Sequence, residues 1–126
     1  MPFTRVSMLA GKPREYKQAI LENVYQSLRE TFAVAENDRF MVVNEFSKDD
    51  FTYHPTYLGM DRSDDVVVIE ITCNNTRTVE QKKRLYQDIN ERLGQNPGIR
   101  ADDIVICIVE VAKENWSMGR GIASFA

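Results

Sequence analysis

VVVIEITCNNTRTVEQKKRLYQDINERLGQNPGIRADDIVICIVEV, residues 66–111, decides the fold. It opens on an apolar, β-branched run from Val66 to Thr72 and closes on another from Ile104 to Val111. Runs of this kind, bounded by polar and turn residues, read as strands. Between them, Asn74-Asn75-Thr76 forms a short loop and a helix is predicted from about Thr78 to Leu93, with Val79, Tyr86, Ile89 and Leu93 as its apolar face. Gly94, Pro97 and Gly98 stop that helix, and Asp102-Asp103 opens the last strand. The unit is strand–helix–strand, which pairs its two strands in parallel through a right-handed crossover.

The same order precedes it. A strand is predicted from about Phe3 to Leu9, and Gly11-Lys12-Pro13 then breaks the chain. A helix follows to about Phe32, with Pro13 in its first turn, Tyr16, Ile20, Val24 and Leu28 recurring every four residues, and Leu21, Tyr25 and Phe32 widening that apolar stripe. Glu36-Asn37-Asp38 leads into a strand from Phe40 to Phe46, and residues 47–64 read as a hairpin or an excursion. The helices echo each other: Tyr25-Gln26-Ser27-Leu28-Arg29-Glu30 resembles Tyr86-Gln87-Asp88-Ile89-Asn90-Glu91. The expectation is one α/β (α+β) domain over residues 1–126, with internal halves of about 1–61 and 62–126. Its four-stranded mixed sheet carries both helices on one face. The runs of residues 66–71 and 104–111 are apolar on both faces, a sign of burial on both. Two helices cover only one face, so a second copy of the chain is expected on the other and the protein should be an oligomer.

Composition narrows the function. Net charge is −3 over 126 residues, and no basic stripe marks a nucleic-acid partner. No apolar run approaches the ~20 residues that span a bilayer, and the first residues, MPFTRVSMLAGK, lack an export signal. A cytoplasmic protein with no membrane partner is expected. Cys73 and Cys107 fall on predicted strands and read as reduced thiols of apolar character. With His54 the sole histidine, no metal cluster forms and no cofactor is implied.

If the two halves run antiparallel, Pro2, Asp38, Asn75, Arg77 and Trp116 collect on one sheet edge. An amine, a carboxylate, a guanidinium and an aromatic wall in one cleft have the makings of a site. With Met1 removed, Pro2 presents a secondary amine. Burial would lower its pKa and make it a base, and a nearby carboxylate would raise it and make it an acid. With Met1 retained, the nitrogen is an amide and transfers no proton. Arg77 stands at a helix start, where a cation is mildly unfavourable. Together with free backbone N–H groups there, it would bind a carboxylate. Arg120, within Gly119-Arg120-Gly121, reads as a tail residue, and Arg39, Arg62 and His54 as structural or surface residues.

These residues carry a resemblance. Pro2 after Met1, Asn37-Asp38-Arg39-Phe40, Arg77-Thr78-Val79-Glu80-Gln81-Lys82 and Trp116-Ser117-Met118-Gly119-Arg120-Gly121 are together similar to the tautomerase superfamily, in its malonate semialdehyde decarboxylase-like group. The resemblance implies the tautomerase fold assembled as a homotrimer, with Pro2 the catalytic amine and Asp38 its acidic partner. Arg77 then looks like the second of two arginines that bind the substrate carboxylate, while Asn75 stands where the first would be. No histidine stands near Leu28, unlike the dehalogenase branch. Three readings follow. In the first, keto–enol tautomerisation of a small oxo acid, Pro2 is the base and Arg77, Asn75 and Trp116 hold the substrate. The second is a 3-oxo acid decarboxylase or hydratase with protonated Pro2. The third is a non-catalytic ferredoxin-like interaction module, which has no use for a free amine.

Overall fold

The computed structural model describes all 126 residues. Strand β1 (Pro2–Leu9) is followed by helix α1 (Arg14–Phe32) and strand β2 (Phe40–Phe46). Strand β3 (Val67–Asn74), helix α2 (Val79–Gln95) and strand β4 (Ile104–Val111) repeat the order. The sheet runs β2-β1-β3-β4, parallel within each half and antiparallel across the β1–β3 seam. Both strand–helix–strand units are as the sequence predicts, and the reversal between them is the condition under which the candidate residues share an edge.

Strand alternation sends Val6 and Met8 of β1 and Val67, Ile69 and Ile71 of β3 to the helix side, where all five are buried. From α1, Ile20, Val24, Leu28 and Phe32 meet them. The helix ends where Ala33 adopts φ 53 and its N–H donates to the Leu28 carbonyl, a left-handed cap. Helix α2 starts on a capping box: Thr78 Oγ1 accepts the Gln81 N–H at 3.1 Å, and Gln81 Oε1 accepts the Thr78 N–H at 3.0 Å.

Three expectations need correction. The buried stripe of α2 is Leu85, Ile89 and Leu93. Val79 (59% exposed) and Tyr86 (37%) are not in it. Tyr86 lies about 100° around the helix from Leu85, and Val79 sits in the first turn. Helix α2 also runs past Leu93 and Gly94 to Gln95; the stop comes after, where the Gly98 and Ile99 N–H groups both donate to the Leu93 carbonyl at 3.0 and 2.8 Å. Finally, β3 is offset from the predicted Val66–Thr72, because Cys73 and Asn74 find partners in Glu110 and Val111 of β4 and Cys73 also pairs with Pro2. That extension carries β3 to the edge where the chain begins.

Residues 47–64 form an excursion without strands, carrying two single 3₁₀ turns, Lys48–Asp50 and Tyr57–Gly59. The Arg62 guanidinium holds it by donating to the His54 and Tyr57 carbonyls at 3.1 and 3.0 Å. The fully buried Asp103 accepts from both the N–H and the hydroxyl of Ser63 at 2.7 Å. The sheet face away from the helices is bare. One row across it reads Val42, Arg5, Glu70 and Cys107, and Phe40 (49% exposed) and Val109 (38%) lie in the next. Cys73 is buried on the helix side, but Cys107 is exposed on this bare face.

Candidate active site

The antiparallel seam decides where the site residues meet. Pro2 lies opposite Cys73, Phe3 opposite Phe40, and Asn74 opposite Val111, so the starts of β1 and β2 share an edge with the ends of β3 and β4. Pro2 is buried there. It lines a tight cleft, closed to a free water molecule, with Thr4, Tyr25, Leu28 and Asp38. The chain's terminal ammonium, on Met1, stands 3.8 Å from Asp38 Oδ2, and the Met1 side chain is only 3% exposed. The ammonium of the residue before Pro2 thus faces the Asp38 carboxylate, whose own side chain is 24% exposed.

Arg77 follows β3 and reaches the same edge. Its Nη2 donates to the Phe32 carbonyl at 2.9 Å, and its guanidinium carbon lies 5.0 Å from the centre of the Phe32 ring. That carbonyl ends α1, where the helix dipole is negative, which gives a cation at the start of α2 a favourable partner. The capping box occupies the Thr78 and Gln81 N–H groups, so the α2 terminus offers fewer free donors than the sequence implies. Cys73 ties the pieces together electrostatically. Burial pushes its thiol up, and both the Arg77 guanidinium and the terminal ammonium act on it in the opposite sense.

Trp116 is half-buried beyond β4, and its indole N–H donates to Asn74 Oδ1 at 2.7 Å. Asn75 is exposed, and its backbone N–H donates to the Val111 carbonyl at 3.0 Å. Pro2 and Asp38 thus line one cleft, while Arg77 and Trp116 follow β3 and β4 at the same sheet edge without lining that cleft. The structure puts Asn74, rather than Asn75, against the tryptophan. Arg120 is exposed in the tail. Arg62 is a structural tether, as read from the sequence, whereas Arg39 borders the Pro2 cleft and lies 3.6 Å over the Tyr25 ring.

Two cleft residues escaped the sequence reading. Thr4 is 1% exposed, and its hydroxyl has no hydrogen-bond partner. It stands two residues after Pro2, and the period-2 rule alone puts both on one face. Tyr25 reads as part of the apolar stripe of α1, yet its hydroxyl accepts the Asn37 N–H at 2.9 Å. A hydrogen bond from Arg29, then the Asn37 N–H and Arg39, hold that phenol below the ordinary tyrosine range. No three His, Cys, Asp or Glu side chains converge as a metal site, and no helix is long and apolar enough to cross a membrane.

Residues 38–119 match a family model described as a tautomerase enzyme, and residues 2–61 match a second of the same description. A probable tautomerase of Bacillus subtilis, YusQ, is 35% identical over 123 residues, 98% of this chain and 97% of that protein. Among solved structures, malonate semialdehyde decarboxylase superposes with TM-score 0.92 at 28% identity, covering 98% of this chain and 95% of its own. The FG41 malonate semialdehyde decarboxylase inhibited by 3-bromopropiolate gives 0.91 at 32% identity, covering 98% and 93%. Sequence, fold and edge geometry agree: the chain belongs to the tautomerase family and is an enzyme of that superfamily.

Proposed function

We propose that the enzyme moves protons on small oxo acids through the Pro2 nitrogen, exposed as a secondary amine when Met1 is removed. The observation that carries this reading is the terminal ammonium standing 3.8 Å from the Asp38 carboxylate beside the buried Pro2. In keto–enol tautomerisation the neutral Pro2 nitrogen takes a proton from the carbon next to the carbonyl. The C–H electron pair forms the C=C bond, and the carbonyl π pair moves onto oxygen. Pro2 then returns the proton to that oxygen, giving the enol and the free amine. Arg77, anchored at Phe32, holds the carboxylate with its remaining donors. Trp116, fixed by Asn74, walls the site, with Asn75 at its rim. Phe40 lines the cleft of Pro2 and offers apolar contact to an aryl or alkyl substituent. No cofactor takes part. The bare sheet face supports a homotrimer, and a cytoplasmic location completes the reading.

The carboxylate of Asp38 in the same cleft as Pro2 favours a second reading, in which it keeps the freed Pro2 amine protonated. The Pro2 ammonium then polarises the carbonyl of a 3-oxo acid for decarboxylation or hydration. The similarity to two malonate semialdehyde decarboxylases supports it, as does the inhibition of one by a small carboxylate, 3-bromopropiolate. An activity screen of enol and 3-oxo acids with a pH–rate profile separates the two. A base gains activity as pH rises through its pKa, and an acid loses it. In either reading Pro2→Ala lowers turnover at least about a hundredfold, the worth of a positioned acid or base. Turnover unchanged in that variant would falsify both.

A further inference from the structure

Asp38 has no side-chain hydrogen bond of its own, and its only charged partner is the terminal ammonium. Its position depends on the loop that carries it, and that loop is fastened to one phenol. Asn37 is left-handed at φ 67, a conformation disfavoured for residues with a Cβ although asparagine tolerates it best. The chain folds tightly around it: the Arg39 N–H donates to the Asn37 carbonyl at 2.9 Å and the Asp38 N–H to the Ala35 carbonyl at 3.1 Å. Backbone held in this way persists only where its surroundings over-determine it.

Tyr25 supplies that constraint from α1. It is 4% exposed and lines the cleft of Pro2 and Asp38. Its hydroxyl accepts the Asn37 N–H at 2.9 Å. On the other side of Asp38, the Arg39 guanidinium covers the Tyr25 ring at 3.6 Å and bonds Glu22 Oε2, also on α1, at 2.9 Å. The residues before and after Asp38 are thus tied to the same side chain.

We propose that Tyr25 is a positioning residue for Asp38: its hydroxyl, by holding the Asn37 N–H, sets the distance of the carboxylate from the Pro2 nitrogen. The proposal rests on the Pro2–Asp38 pairing argued above. Three variants test it: Tyr25→Phe, Asp38→Asn and the double variant, each with Met1 removed and ¹⁵N-proline incorporated. The Pro2 nitrogen is titrated by NMR, kcat and KM are measured, and exchange of the Asn37 amide is followed. Asp38→Asn removes the carboxylate and lowers the Pro2 pKa. Tyr25→Phe lowers it in the same direction by less. Its kcat falls about tenfold, within the range expected for a group displaced by a fraction of an ångström, with KM held within about twofold. Its Asn37 amide exchanges faster than in the wild type. Because the phenol acts through Asp38, the double variant matches Asp38→Asn alone.

The proposal is overturned if Tyr25→Phe keeps the wild-type Pro2 titration and kcat while Asp38→Asn shifts them. It is equally overturned if the losses add in the double variant, since Tyr25 is then merely structural. If Asp38→Asn itself changes neither titration nor turnover, the Pro2–Asp38 pairing fails and the role of Tyr25 fails with it.

Discussion

Arg77 shows how much one side chain can be asked to do. Its Nη2 closes the C-terminus of α1 at the Phe32 carbonyl and its Nη1 donates to Thr76 Oγ1 at 3.2 Å, which leaves Nε–H and one N–H on each Nη for a substrate. Arg77→Ala is expected to raise KM for a carboxylate substrate at least about tenfold, since charge-assisted bidentate bonds are the strong ones. Arg77→Lys recovers only part, because an ammonium cannot hold Phe32 and a carboxylate in one plane. Steady-state kinetics of the two variants check this; equal KM in wild type and Arg77→Ala would place the carboxylate elsewhere. Pro2, Asp38, Arg77 and Trp116 were legible as chemistry-bearing types at strand ends. Thr4 and Tyr25 were not, because a threonine in a strand and a tyrosine in a helical stripe look the same whether they pack or face a cleft. Burial also decides the thiols: the Cys73 pKa is pushed up, so the thiolate that alkylates is scarce at neutral pH. Iodoacetamide at pH 8 should leave native Cys73 unlabelled and modify it in denaturant, as mass spectrometry of the peptides would report.

Helix α2 is the element where pattern and packing part. Heptad spacing links Val79, Tyr86 and Leu93 in the sequence, but the sheet accepts Leu85, Ile89 and Leu93. Leu85→Ala should cost about 2–5 kcal/mol and Tyr86→Ala well under half of that, because only the first leaves a cavity. Urea unfolding at one fixed protein concentration measures both; a larger loss for Tyr86→Ala would mean that the stripe is misplaced. The capping box makes a second claim on the same helix. Thr78→Ala frees the Gln81 N–H and is expected to cost about 1 kcal/mol. Strands were more legible than helix faces. β2 and β4 lie where their runs predicted, since a short branched run bounded by polar residues leaves little choice of face, whereas several stripes can be drawn on one amphipathic helix.

At the scale of the whole molecule, the bare sheet face is the feature left to explain. Val42, Val109 and Phe40 are more than a third exposed there, beside Cys107. In the proposed homotrimer this face is covered. Val109→Glu should then shift sedimentation toward the monomer, and Cys107 should react with thiol reagents only as subunits separate. A wild-type chain that sediments as a monomer with Cys107 freely reactive would leave the face unpartnered and the trimer refuted. The sequence by itself determined the two strand–helix–strand units, because period-2 and period-3.6 patterns are local properties of the chain. It also determined which residue types could do chemistry at the strand ends. Only the tertiary structure decided that the halves lie antiparallel, that β3 extends to meet Pro2, and that Asn74 rather than Asn75 faces Trp116. Those outcomes depend on contacts between segments about forty to seventy residues apart. Pairing energy of that kind belongs to the assembled sheet, so no local pattern in the chain encodes it.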